Sequence, residues 1–440
     1  MCIAPCPAIV SFAPRSQTGT SVHAADFIKV TNTTEISAKR PHISHRSAQT
    51  TRRQVLPWLC DGVRMTSKAS HYSTASASAK EKKAPMDPRP SSSIILLSPA
   101  NQVLLLHRVK TSSSFASAHV FPGGNLSDFH DGTLPPPGDL TRHQDSRAYR
   151  LGAIRETFEE SGILLARDVR NGKGSEEGLL SLPAVERDAA RKRIYANEVR
   201  FEEWLQNVGG EADLDNLYPF TRWITPPATP RRFTTQMYLY LLPLSKSKSS
   251  PPTSPDALTA ATQAEAVLPT PDGTEITTSV FEDASTWLAR QQRGEVILFP
   301  PQAFLLTLVS QFCTGPPSSA STDEESTAHY WSQRQALLEF LHKTPTATQP
   351  KALKQTTSSI PWAEKVISPV TALVRPDGRA VLSLEKPGPE LKGSGRGGDW
   401  ERVVLVRFAK GTATEVEVRD RESVFEEERK RLEQEKAAKL

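Results

Sequence analysis

Three glutamates carry the clearest capacity for chemistry: Glu156, Glu159 and Glu160, in the run Arg155-Glu156-Thr157-Phe158-Glu159-Glu160-Ser161-Gly162. A spacing of i, i+3 and i+4 puts all three side chains on one face of a helix. Like charges so placed repel by roughly 0.2–0.5 kcal/mol per pair. A divalent cation between them removes that cost, and hard carboxylate oxygens suit Mg²⁺ or Mn²⁺ rather than a thiophilic metal. Leu151, Ile154 and Phe158 occupy another face and can anchor the helix to a core. Arg155 stands i, i+4 from Glu159 and can hold that carboxylate in place, and Gly162 is where a helix would end. The competing reading is a solvated acidic face, which for three glutamates taken alone is the commoner explanation.

The elements that must position this helix can be read around it. The apolar runs Ser93–Leu97 and Val103–Leu106, joined by Ser98-Pro99-Ala100-Asn101-Gln102, predict a β-hairpin. Val120-Phe121-Pro122-Gly123-Gly124 follows, then a Pro-, Gly- and Asp-rich loop and a helix from about Arg147 to Ile163. One or two helices are expected over residues 183–208, with Phe201, Trp204 and Leu205 at helical spacing. Trp223–Thr225 and Gln236–Leu242 are strand candidates, with the Pro-rich turn 226–232 between them. Ala284–Gln292 and Gln302–Phe312 read as helices flanking a short strand at Val296–Leu298. Beyond that, Ala372–Val374, Ala380–Leu382 and Val403–Val406 predict a small β extension, and the last twenty residues a charged helix.

Together, the Phe-Pro-Gly-Gly turn and the glutamate helix resemble the Nudix hydrolase superfamily. Its signature is Gly, five residues, Glu, seven residues, then Arg-Glu-aliphatic-X-Glu-Glu-X-Gly-aliphatic. Arg155, Glu156, Glu159, Glu160, Gly162 and Ile163 fit the second half. The first half departs from it. Gly124 precedes Arg155 by 31 positions where the pattern has 14, an excess of 17, and Arg147 stands eight positions before Arg155, where a supporting glutamate belongs. An insertion inside the box resembles the peroxisomal coenzyme A diphosphatase branch. So do Ser117–Gly124, Leu217–Pro226, Arg231-Arg232-Phe233, Gly294-Glu295 and Leu298–Pro301.

This resemblance covers about residues 90–312. It implies an α/β fold, a Nudix α/β/α sandwich with a mixed sheet. Residues 1–90 would be a disordered or targeting extension, 91–312 the hydrolase domain with insertions at about 125–145 and 246–271, and 313–440 a C-terminal β/helix extension. The implied reaction is hydrolysis of a diphosphate linkage in coenzyme A or an acyl-CoA, giving 3′,5′-ADP and a 4′-phosphopantetheine product. Glu156, Glu159 and Glu160 would hold Mg²⁺ or Mn²⁺, with Glu159 or Glu160 (or a distal acid, Glu275 or Glu282) as general base. Gly123, Gly124, Arg231, Arg232 and His119 are the candidate substrate-binding residues, with Arg108 behind them. Each arginine could equally be a surface charge, and a lone histidine is more often structural. Rival readings are an NAD(H) or ADP-ribose hydrolase and a catalytically inactive nucleotide-binding module.

Composition narrows the field. The 440 residues carry a net charge of +5 and no dense basic run interleaved with aromatics, which argues against a nucleic-acid partner. Cys2, Cys6, Cys60 and Cys313 make neither a disulfide framework nor a zinc spacing, and a reducing compartment is expected. The longest apolar candidate, Val296–Val309, is broken by Pro300-Pro301, so no membrane span is expected. Up to Lys80 the chain is basic, acid-poor and Ser/Thr-rich, as a mitochondrial leader would be, with Met65 and Met86 as alternative starts. Ala438-Lys439-Leu440 resembles a peroxisomal address, which would make an import receptor the partner.

Overall fold

The computed structural model describes residues 86–111, 116–170, 179–244, 269–272, 275–317, 321–409 and 411–438. The expected disordered or targeting extension up to residue 85, most of the expected insertion at 246–271, and Lys439 and Leu440 of the terminal tripeptide lie outside them. All the described residues fall within one unit, Lys80–Leu440.

The centre is a mixed sheet. Strand β1 (Arg89–Leu97) pairs in parallel with β8 (Phe233–Leu241) on one edge; on the other it meets β4 (Gly123–Asn125) and the closing pair of β2 (Val103–Arg108), both antiparallel. β2 continues to β3 (His119–Val120) and β9 (Ile276–Glu282), and β8 to β7 (Tyr218–Ile224). The predicted hairpin therefore forms, but only Leu97↔Val103 ties its arms, because each strand takes other partners. Ile94–Leu97 are all buried, as a strand covered on both faces must be.

Alternation sorts those residues between two layers. Ile94 and Leu96 face a core shared with Leu104, Leu106, Tyr238 and the helices α1 (Arg147–Ser161), α2 (Ala184–Tyr195) and α3 (Phe201–Asn207). A short ribbon of β5 (Ala166–Asp168) and β6 (Gly210–Ala212) borders that layer. Ile95 and Leu97 face the opposite core, with Leu105, Trp223 and Leu239. That core is closed by α4 (Ala284–Gln292), α5 (Pro300–Val309) and α6 (Asp323–His342). The result is the expected α/β/α arrangement.

The C-terminal segment packs onto the second core. β10 (Val366–Ile367) joins the main sheet beside β7, and β11 (Val370–Val374), β12 (Ala380–Leu384), β13 (Asp399–Ala409) and β14 (Thr412–Asp420) form a separate antiparallel sheet. Leu382, Leu384, Val404 and Val406 bury into the same cluster as Trp287 and Phe304, and α7 (Arg421–Ala437) packs on β13.

Two expectations shift, and one helix is new. Val296–Leu298 makes no strand: Val296 and Leu298 are apolar because they are buried, while the Ile297 carbonyl accepts the His119 backbone N–H. Helix α5 starts at Pro300, not Gln302, since prolines are well suited to a helix's first turn. Helix α6 is not among the expected elements; Thr322 and Glu325 close a capping box at its start.

Candidate active site

Helix α1 runs to Ser161 and stops at Gly162, whose φ of 72° is a left-handed cap that returns its N–H to the Phe158 carbonyl. Tyr149, Leu151, Ile154 and Phe158 bury one flank against the sheet. That fixes the glutamate face toward the loop carrying Gly123 and Gly124.

Arg155 is the hub. Its guanidinium lies 2.9 Å from Glu156, 3.0 Å from Glu159 and 2.9 Å from both carboxylate oxygens of Asp131, and donates to the Asn125 carbonyl at 3.0 Å. Glu160 accepts from the Gly123 backbone N–H at 2.9 Å and lies 3.5 Å from Arg108. Arg108 in turn holds Glu275 at 2.7 Å, and the Tyr195 hydroxyl donates to Glu275 at 3.3 Å. From the far side, Arg191 donates to the Glu159 carbonyl at 2.7 and 3.0 Å and to Thr270, whose N–H bonds to Ser161.

The glycines let the turn approach α1 closely, and at 124 any side chain would displace the Glu156 carboxylate. A Cβ there would stand 2.4 Å from a Glu156 carboxylate oxygen. At Gly123 it would meet the Ser92 carbonyl at 2.3 Å, and φ is +152°.

Burial, only partly offset by Arg155 and aggravated by Glu159, raises the Glu156 carboxyl to about 7. Burial and the neighbouring Glu156 hold Glu160 well above the usual range, and burial raises Glu159 as well. Three carboxylates in so dry a place favour neutralisation, by protons or by a hard cation. The donor chemistry thus fits Mg²⁺ or Mn²⁺, since all three donors are hard carboxylate oxygens. The fit is of donor type and charge only: among the described residues no trio of acidic, His or Cys side chains is gathered as a ready-made metal cage.

The site contains a residue the sequence reading missed. Asp131, 3% exposed, grips Arg155 with both oxygens and accepts the Ser127 N–H at 2.8 Å. It stands seven positions after Gly124, one more than the Nudix pattern gives for its first acid, and 24 before Arg155. An acid that touches Arg155 thus stands one position from where the pattern has its supporting glutamate, and sixteen of the seventeen additional residues fall after it. Arg147, expected in its place by counting back from Arg155, instead pairs with Glu202 on the surface. The clue was an unexplained aspartate in the inserted loop.

Other expected residues sit elsewhere. His119 is paired with His107 on the sheet face opposite α1, stacked on its ring at 4.6 Å and beside Trp287; burial, His107 and Arg290 lower it to about 4. Arg232 is buried, donates to the Thr225 and Met86 carbonyls and pairs with Glu390, while Arg231 is exposed in the turn before β8. Of the two distal acids, Glu275 is joined to Glu160 through Arg108, whereas Glu282 lies at the far end of β9, paired with Arg290.

Residues 139–307 match the model of the NUDT19 Nudix domain. Among curated proteins the chain is similar to acyl-coenzyme A diphosphatase NUDT19 of Gallus gallus, at 29% identity over 48% of this chain and 61% of that one. It is also similar to putative nudix hydrolase 7 of Caenorhabditis elegans, at 33% identity over 35% and 44%, and to the Homo sapiens acyl-coenzyme A diphosphatase NUDT19, at 26% over 35% and 50%. The chain spans about half of the length of the curated relatives it matches. The fold and the site resemble those of a Nudix hydrolase domain. Within that superfamily the chain resembles the coenzyme A diphosphatase branch, with the box interrupted after Asp131.

Proposed function

We propose that this protein hydrolyses a diphosphate linkage with the help of Mg²⁺ or Mn²⁺, and that its substrate is coenzyme A or an acyl-CoA, cleaved to 3′,5′-ADP and a 4′-phosphopantetheine product. The observation that carries this reading is the hydrogen bond from the Gly123 N–H to Glu160, which locks the glutamate face against the Phe-Pro-Gly-Gly turn. Glu156, Glu159 and Glu160 are the residues that would hold the cation. Once bound, it neutralises phosphate charge and lowers the pKa of the attacking water.

The chain's own residues do the rest. Asp131 and Asn125 fix Arg155, and Arg155 fixes the carboxylates of Glu156 and Glu159. Glu159 or Glu160, both raised by burial, accepts the proton of the attacking water. Arg108 links that machinery to Glu275.

Incubation with Mg²⁺ or Mn²⁺ and a panel of coenzyme A, acyl-CoA, NADH and ADP-ribose tests the proposal. Turnover is expected to be greatest for the coenzyme A species. NADH turned over far faster than coenzyme A would remove the substrate assignment, and no turnover of any member would remove the activity. The branch resemblance also supports a peroxisomal setting, checked by imaging fluorescent fusions with and without Ala438-Lys439-Leu440.

A further inference from the structure

At the other end of α1 lies a second charged cluster with the opposite imbalance. Arg222 on β7 is 1% exposed, and its guanidinium sits 4.3 Å over the Tyr149 ring. One terminal nitrogen donates to the Thr234 hydroxyl at 3.2 Å; Nε and Nη2 meet no acceptor among the described residues. Those two nitrogens form one edge of the guanidinium, the edge that engages two oxygens of a carboxylate or phosphate in parallel.

Its surroundings add positive charge. Arg232, 2% exposed, leaves Nη2 without an acceptor among the described residues, and Arg142 leaves Nε. His143 is buried against Thr234 at 3.0 Å, and Arg222, Arg142 and Arg232 all act on it as neighbouring positive charges. Arg396 feels Arg222 in the same way. Against these stand Glu390, paired with Arg232, and Asp145, already bonded to Arg150 and to the Tyr238 hydroxyl. Glu364 offers Arg396 its backbone carbonyl.

Four arginines (142, 150, 222 and 232) thus face two carboxylates, and beyond them Arg396 adds a fifth cation and Glu364 a third acid. A buried guanidinium without a counter-charge is strongly disfavoured, so an interior arrangement of this kind calls for an anion. The N-terminus of α1 points the same way: Ser146 makes no side-chain cap, no acid occupies the first turn, and the helix dipole is positive there.

We propose that the Nε–Nη2 edge of Arg222, with the free donors of Arg142 and Arg232, is a binding site for a phosphate-type oxyanion. It is separate from the glutamate face. Tyr149 and Glu160 are eleven residues apart on α1, about 16 Å at the helical rise. The oxyanion arrives either as inorganic phosphate or as the phosphate monoester of a larger molecule.

Equilibrium dialysis and thermal melts of the full chain, with chelator present to keep phosphate from a cation at the glutamates, test the proposal. Inorganic phosphate and 3′,5′-ADP are compared with chloride and with 5′-ADP at matched ionic strength. One oxyanion bound per chain is expected, with a rise in melting temperature of several degrees at saturation. Binding of inorganic phosphate identifies the free anion as the source. A preference for 3′,5′-ADP over 5′-ADP identifies a monoester. Arg222→Met should abolish binding, and Arg222→Lys, which keeps the charge but not the two-nitrogen edge, should weaken it at least tenfold. Absence of binding by the wild type, an equal shift with chloride, or undiminished binding by Arg222→Lys would overturn the assignment. Because wild type and Arg222→Lys suffice, misfolding of Arg222→Met leaves the test intact.

Discussion

The two ends of α1 are charged against the grain of the helix. A helix dipole favours acids at its N-terminus and bases at its C-terminus. Here Glu156, Glu159 and Glu160 occupy the last turns, while Arg142 and Arg222 gather at the first, around His143. At the acidic end most charges are answered: Arg155 meets three carboxylates, and Glu160 has the Gly123 N–H and Arg108. At the basic end, arginine nitrogens remain without acceptors among the described residues. The contrast teaches that an unfavourable charge pattern is tolerated where a ligand of opposite sign relieves it. One end suits a cation, the other an anion.

The sharpest way to break the comparison is at the acidic end. Glu159→Gln keeps the shape and one Arg155 contact but removes a charge. Turnover should fall by about 10²- to 10⁴-fold with an unchanged circular dichroism spectrum. Wild-type turnover would mean that the glutamate face is not the reactive site.

Asp131→Ala strips the buried Arg155 of its two-oxygen partner. Loss of one member of a buried pair costs about 3–5 kcal/mol, read as a lower midpoint in urea. An unchanged midpoint would show that the glutamates alone hold Arg155.

A smaller effect should appear at the basic end as pH dependence. Burial and the flanking arginines lower His143 to about 4, so the folded state binds fewer protons than the unfolded one between pH 6.5 and 4. Its stabilisation is complete above about 6.5 and is lost as pH falls toward 4, at up to roughly 1.4 kcal/mol per pH unit. His119, also lowered to about 4, acts in the same direction. His143→Asn should therefore reduce the slope in phosphate-free buffer without abolishing it. An unaltered slope would place the titration elsewhere.

Much of the fold was legible because its signals are local. The run Ile94–Leu97 announced a covered strand, the i, i+3, i+4 pattern and Gly162 announced α1, and the boundaries of Ala284–Gln292 were read to the residue. The start of α6 was written in Thr322 and Glu325, a polar signal that a search for apolar content passes over. His119 looked like a site residue by adjacency to the Pro-Gly-Gly turn, yet strand alternation turned it to the other face of the sheet.

By itself the sequence determined the glutamate face, its anchoring flank and its glycine stop, since all depend on spacing within one helix. Only the tertiary structure decided that Asp131 supports Arg155 across 24 positions, that Arg232 belongs to the fold and not to the glutamates, and that Arg222 meets His143 around Thr234. Those partners are distant in the chain and are brought together by the packing of α1 on β1 and β4, a geometry that residue spacing does not encode.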